Sequence, residues 1–135
     1  YGNTKKAAEL LKDELEALGC KKTVLTDLAR SDMAEAVEDA FRYDRLVLAT
    51  TTYNAGIFPF MREFINHLTE RGFKNRKIGL VENGTWAPTA AKTMKEMLAG
   101  CKNLEFAETT VQIKSALNDA SKAQLESLAA ELCAD

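Results

Sequence analysis

The chain is poor in the residues that build metal sites and disulfide frameworks. It has one histidine, and its three cysteines stand far apart at Cys20, Cys101 and Cys133. No Cys or carboxylate sits at ligand spacing from His67, so no metal site is expected. The cysteines form no closely spaced pair and are expected to be reduced, partly buried thiols of a cytoplasmic protein. No apolar run is long enough to cross a bilayer, and no secretory leader is recognisable from Tyr1 onward. The net charge of −2 provides no basic field for nucleic acid or an anionic membrane. No Gly-x-Ser-x-Gly elbow or Walker lysine is present, and no catalytic residue is assigned. Glu9, Asp13, Glu14 and Glu16 read as a solvated helix face. His67, beside apolar Leu68, reads as a surface or helix-end histidine.

What is present is a single alternating pattern without repeats, linkers or low-complexity tracts. With 135 residues it predicts one domain over 1–135. Ala7, Leu11, Leu15 and Leu18 share a helical face between Asn3 and Gly19. Lys22 to Leu28 reads as a short strand around Val24 and Leu25. Ser31 or Asp32 can cap a second helix with Met33, Val37, Ala40 and Phe41 inward. Leu46 to Ala49 is apolar throughout, as a strand covered on both faces should be. A polar loop over Thr50–Gly56 is expected next. Pro59 opens a third helix with Met61, Phe64, Ile65 and Leu68 on one face, and Gly72 follows it. Lys77 to Glu82 is a strand. Ala91, Met94 and Leu98 mark a fourth helix that stops at Gly100. Thr109 to Ile113 is a weaker, polar strand suited to a sheet edge. Ser121 with Gln124 suggests a capping box for a last helix carrying Leu125, Leu128 and Leu132.

Strands alternating with helices imply an α/β domain with a doubly wound parallel sheet. In the strand order 2-1-3-4-5 the first strand is central and opens the chain. Here a helix comes first, so the first strand is expected to be missing from these residues. The segments at Val24 and Val47 should then stand two strand spacings apart, roughly 10 Å.

Ligands of such sheets bind beyond the carboxyl ends of the strands. Three polar segments fall there: Tyr1-Gly2-Asn3-Thr4, Thr50 to Phe58, and Glu82 to Pro88. The first opens a helix, where unpaired N–H groups and the helix dipole favour a phosphate. Taken alone, it reads first as an ordinary N-cap, because Asn and Thr cap helices widely. The second is rich in hydroxyls, amide and glycine, and is either a plain turn or a set of donors for a phosphate and a planar heterocycle. The third holds the only tryptophan, Trp86, suited to stacking on a flat ring or to covering the sheet edge.

Tyr-Gly-Asn-Thr at residues 1 to 4 resembles the end of the flavodoxin phosphate loop. Thr51-Thr52-Tyr53-Asn54 followed by Phe58-Pro59, and Glu82-Asn83-Gly84-Thr85-Trp86, resemble the second and third loops of the flavodoxin-like domain of A-type flavoproteins, the flavodiiron proteins. The resemblance spans essentially the whole chain. It implies that Gly2, Asn3 and Thr4 hold the phosphate of FMN. It implies further that Thr51, Thr52, Tyr53, Asn54, Ala55 and Gly56 line phosphate, ribityl chain and ring, and that Asn83, Gly84, Thr85 and Trp86 meet the isoalloxazine. Tyr1 departs from the pattern, standing where short flavodoxins carry Ser or Thr. The ligands of the family's diiron domain have no counterpart in a chain with one histidine.

The implied function is FMN-dependent electron transfer, with redox proteins or a diiron domain of the parent chain as partner and a homo-oligomer allowed. Two alternatives are a stand-alone FMN-dependent NAD(P)H or quinone reductase, and a regulatory module without flavin. The last needs an acidic pair and an acceptor Asp after strands, whereas the strands here end in Thr50 and Glu82.

Overall fold

The computed structural model describes all residues except 1, 21, 22, 27, 29–31, 44, 54, 55, 58, 84–89, 114–116, 134 and 135, with backbone alone at 2, 3, 51–53, 56 and 57. The apolar spacing from Ala7 to Leu15 yields helix α1 (Gly2–Ala17), with Ala7 and Leu11 buried. Gly19, at φ 92°, ends it: the Gly19 and Cys20 amides donate to the Glu16 and Leu15 carbonyls. That left-handed closure strongly favours glycine. Gly72, at φ 72°, closes helix α3 (Pro59–Glu70) in the same way, and Phe73 folds back over Leu68. Helix α2 (Met33–Arg42) is capped by Asp32, whose carboxylate accepts from the Ala34 amide.

The sheet contains three parallel strands, β1 (Arg45–Tyr53), β3 (Arg76–Asn83) and β4 (Leu104–Ile113), in the order β1-β3-β4. The two-residue β2 (Gly56–Ile57) folds back antiparallel on β1. Helices α4 (Ala90–Met97) and α5 (Asp119–Cys133) complete the described elements. Alternation along β3 sends Ile78 and Leu80 into one core, built with α2, α3 and α4, and Val81 into a second, built with α1 and α5. In β1, Leu48 joins the first core while Val47 and Ala49 pack on the second. Both faces of the sheet are therefore covered, as parallel strands require. This is a flavodoxin-like α/β fold.

Four expectations need correction. Residues 23–26 lie outside any helix or strand, and Val24 and Leu25 are 48% and 44% exposed. An extended segment is stable only where a neighbour pairs its backbone groups. Among the described residues β1 pairs only with β2 and β3, so the stretch at Val24 gains no ladder. Second, the polar stretch after Ala49 is not a loop from Thr50. β1 continues to Tyr53 because β3 pairs it as far as Thr51↔Asn83. Third, the box at the start of α5 is Asn118 with Ser121, not Ser121 with Gln124. Asn118 Oδ1 accepts from the Ser121 amide at 2.9 Å, and Ser121 Oγ accepts from the Asn118 amide at 3.4 Å. Gln124 instead accepts from the Gln112 amide of β4. Fourth, Cys20 and Cys133 are not separate thiols. They form a disulfide that ties the end of α1 to the end of α5.

β4 is the edge strand expected, but longer, and it carries a bulge. Ile78 faces Phe106 and Leu80 faces Thr110, so residues 107–109 stand opposite Gly79 alone. Such a bulge frees amides from the ladder. Glu131 of α5 takes them up, its Oε1 accepting from Glu108 N at 2.8 Å and its Oε2 from Thr109 N at 3.1 Å. Lys77 Nζ donates to the Glu131 carbonyl. A Cβ at Gly79 would come within 3.0 Å of Leu128 Cδ1, so glycine lets α5 lie close on β3.

The bond from the Thr109 side chain, with those from the Thr109 and Glu108 amides and the charge of Lys77, holds the Glu131 carboxyl below its ordinary value against the opposing effect of burial. A folded-state pKa below the unfolded one gives stability that is present above the unfolded value. It is lost as pH falls through the folded value. Glu131→Ala is therefore expected to lower stability at neutral pH by about 1 kcal/mol, the net worth of a hydrogen bond. The difference should shrink on acidification through the carboxylate range, as read by urea denaturation at several pH values. A second prediction concerns the disulfide, whose cysteines are separated by 113 residues. Cys20→Ser should destabilise the oxidised protein by about 2–4 kcal/mol and leave the reduced protein nearly unchanged, because the crosslink acts mainly on the unfolded chain.

Candidate functional site

The carboxyl ends of β1 and β3 lie side by side because their register runs Thr50↔Glu82 and Thr51↔Asn83. Asn83 is buried, and its Nδ2 donates to Thr4 Oγ1 at 3.1 Å. That bond crosses 79 residues of sequence and fastens the first turn of α1 to the end of the central strand. Two of the three predicted segments thus meet through side chains, and the third joins them through the β1–β3 register.

Gly2, Asn3 and Thr4 form the first turn of α1, whose leading N–H groups have no partner within the helix. No acidic residue stands in that turn to occupy them. Thr51, Thr52 and Tyr53 end β1, and the chain reverses so that Thr52 pairs with Ile57 and Tyr53 with Gly56. Asn54, Ala55, Gly84, Thr85 and Trp86 lie outside the described residues. The described groups fit a phosphorylated ligand: a helix start without acid, and a buried amide side chain fastened to it.

Sequence reasoning did not assign a role to the polar row beneath these residues. Thr50 and Glu82 are buried at 5% and 3% exposure, in register with each other and with Gln112 of β4. Glu82 Oε1 accepts from the Ala91 amide in the first turn of α4 at 3.2 Å, and its Oε2 accepts from Gln112 Nε2 at 3.1 Å. A carboxylate closing the apolar run Ile78-Gly79-Leu80-Val81 was the available signal, since a charge there must find partners.

The remaining candidates stand apart from this edge. Contrary to the expectation that no carboxylate stands at ligand spacing from His67, it lies between Glu63 and Glu70 on the outer side of α3, at 3.8 and 4.0 Å. Among the described residues no group of three or more His, Cys, Asp and Glu is arranged to hold a metal. No helix among them is long and apolar enough to cross a membrane. Burial pushes the Cys101 thiol above its ordinary value, which makes it a poor nucleophile.

A parallel sheet covered on both faces, with polar groups gathered at its carboxyl edge, defines a flavodoxin-like protein. A profile of the flavodoxin family matches residues 1–127, and the chain belongs to that family. A search of curated protein sequences returns no significant match. Among solved structures, the rubredoxin oxygen:oxidoreductase of Desulfovibrio gigas superposes with a TM-score of 0.90 at 20% identity, covering 98% of this chain and 32% of that one. The flavodiiron protein of Giardia intestinalis gives 0.88 at 22% identity, with 98% and 32% covered. The flavodoxin of Streptococcus pneumonia TIGR4 gives 0.79 at 20% identity, with 97% and 90% covered. The chain thus spans about a third of the length of these two flavodiiron-type relatives and most of the length of the flavodoxin. At such identities the likeness is one of fold.

Proposed function

We propose that residues 1–135 form one FMN-binding electron-transfer domain lacking its first strand. The observation that carries this reading is the Asn83–Thr4 bond, which sets a helix start without acidic residues beside the hydroxyl-rich end of β1. In this reading the leading amides of α1, with Gly2, Asn3 and Thr4, hold the FMN phosphate. Thr51 and Thr52 add hydroxyls along the phosphate and ribityl chain, with Tyr53, Asn54, Ala55 and Gly56 following them toward the ring. Asn83, Gly84, Thr85 and Trp86 border the isoalloxazine. The bound flavin supplies the electron-transfer chemistry, and the protein orients it and shields it from water. Membership in the flavodoxin family supports the cofactor, and the likeness to flavodiiron proteins supports a diiron domain or redox protein as partner. In a flavodiiron parent, the domain would feed electrons to a site that reduces dioxygen or nitric oxide.

FMN should bind more tightly than FAD, because a helix start suits a terminal phosphate and the described residues form no second nucleotide-binding unit. Reconstitution of the native full-length chain with each flavin measures this, and equal or tighter FAD binding would overturn it. Sustained NAD(P)H oxidation with a quinone acceptor would move the assignment to a stand-alone reductase.

Trp86→Ala should weaken FMN by about 1–3 kcal/mol, the scale of a lost aromatic contact with its buried area. Flavin should also quench the indole emission of the wild-type protein. Unchanged affinity together with unquenched emission would put Trp86 away from the ring.

A further inference from the structure

The end of β3 sends two consecutive polar side chains to opposite faces of the sheet. Asn83 reaches the first turn of α1, and Glu82 reaches the first turn of α4. Both are buried, at 5% and 3% exposure. Two helices on different layers are therefore anchored, at their N-terminal ends, to neighbouring residues of one strand. Asn83 belongs to the proposed FMN site, while nothing in the cofactor reading uses Glu82.

Glu82 is expensive to bury, and what it does there is specific. Each carboxylate oxygen accepts one bond from a different element, Oε1 from Ala91 N of α4 and Oε2 from Gln112 Nε2 of β4. No ion pair of Glu82 occurs among the described residues. Its partners are neutral amides and the start of a helix, where a negative charge is favoured. A hydrophobic side chain would fill the same space more cheaply, since an ionised group must recover its hydration from these bonds. The carboxylate thus joins three elements at the edge where the ligand binds: β3 itself, the first turn of α4 and the edge strand. The register Thr50↔Glu82 extends that connection to β1.

We propose that Glu82 is a positioning residue for the cofactor, holding the start of α4 and the edge strand in place on one side of the site while Asn83 holds the start of α1 on the other. The proposal rests on the FMN reading. It assigns to Glu82 hydrogen-bond acceptance and no contact with the flavin. The conservative variant should then serve: a glutamine at 82 can accept from Ala91 N and donate to a turned Gln112 amide. Alanine can do neither.

The test uses the native full-length chain and its Glu82→Gln, Glu82→Ala and Gln112→Ala variants. FMN affinity is measured by titration, the fold by circular dichroism, and exchange of the Ala91 amide by mass spectrometry without flavin. Glu82→Ala is expected to weaken FMN by about tenfold, the scale of a buried acceptor lost to its partners. Glu82→Gln should stay within about threefold of wild type, and Gln112→Ala should fall between the two. Ala91 should exchange faster in Glu82→Ala and at the wild-type rate in Glu82→Gln. A folded Glu82→Ala protein with wild-type affinity would overturn the proposal even if Ala91 exchanged faster, because the role would then be structural only. Glutamine as damaging as alanine would overturn it too. If Glu82→Ala does not fold, wild-type affinity in Gln112→Ala overturns it. A wild-type chain that takes up no FMN would overturn the cofactor reading and this proposal with it. Unchanged exchange at Ala91 in Glu82→Ala would overturn the proposal alone and leave that reading standing.

Discussion

β3 is hydrogen-bonded along both edges and covered on both faces, and the rest of the molecule is arranged around that fact. From Ile78 to Asn83 every residue is buried. A strand so enclosed can carry polar side chains only where they find fixed partners. It does so at one end, through Glu82 and Asn83, and the partners are the first turns of α4 and α1. The same pairing that excludes water from the sheet delivers two helix starts to its carboxyl edge. There the Asn83–Thr4 hydrogen bond joins the first turn of α1 to the end of β3, with the end of β1 in register beside it.

On the layer that α1 shares with α5, the sheet is held by different means. Gly79 allows α5 to approach β3 until Leu128 fills the room a side chain would take. The bulge at 107–109 lies opposite that glycine, and the amides it frees end on Glu131 of the same helix. α5 in turn packs with α1 through Ala7, Leu11, Leu125 and Leu128, and the Cys20–Cys133 bond closes the far end of that pair. Displacing α5 would thus shift α1, and the start of α1 is a wall of the proposed FMN site.

The flavodiiron-type relatives are about three times longer than this chain, and the flavodoxins close to its own length. Among those structures the same fold stands alone in some chains and within longer chains in others. A site built from strand ends and helix starts can be joined to other domains without altering the sheet that makes it.

The helices from Met33 to Met97 and strands β1 and β3 were readable from local pattern alone. Apolar spacing decides which face of a helix is buried, and Asp32, Pro59, Gly19 and Gly72 mark ends by their own backbone and capping chemistry. The polar segments after Ala49 and Val81 could be recognised because an apolar strand turns polar near its carboxyl end, although pairing with β3 carries β1 on to Tyr53, and the segment at residues 1–4 because it opens a helix. Contacts between distant residues were not readable. Val24 and Leu25 have strand-forming side chains, but a strand exists only where a neighbour pairs it, and that is a property of the sheet. Cys20 and Cys133 carry no local sign of each other; the packing of α1 on α5 brings them together. Asn118 takes the capping position that Ser121 was expected to fill, because hydrogen bonds across one turn decide between neighbouring polar residues. Local sequence determined the elements and where their polar ends lie. Tertiary structure alone decided which of those ends share a hydrogen bond, since partners 79 residues apart meet only where α1 packs on the sheet.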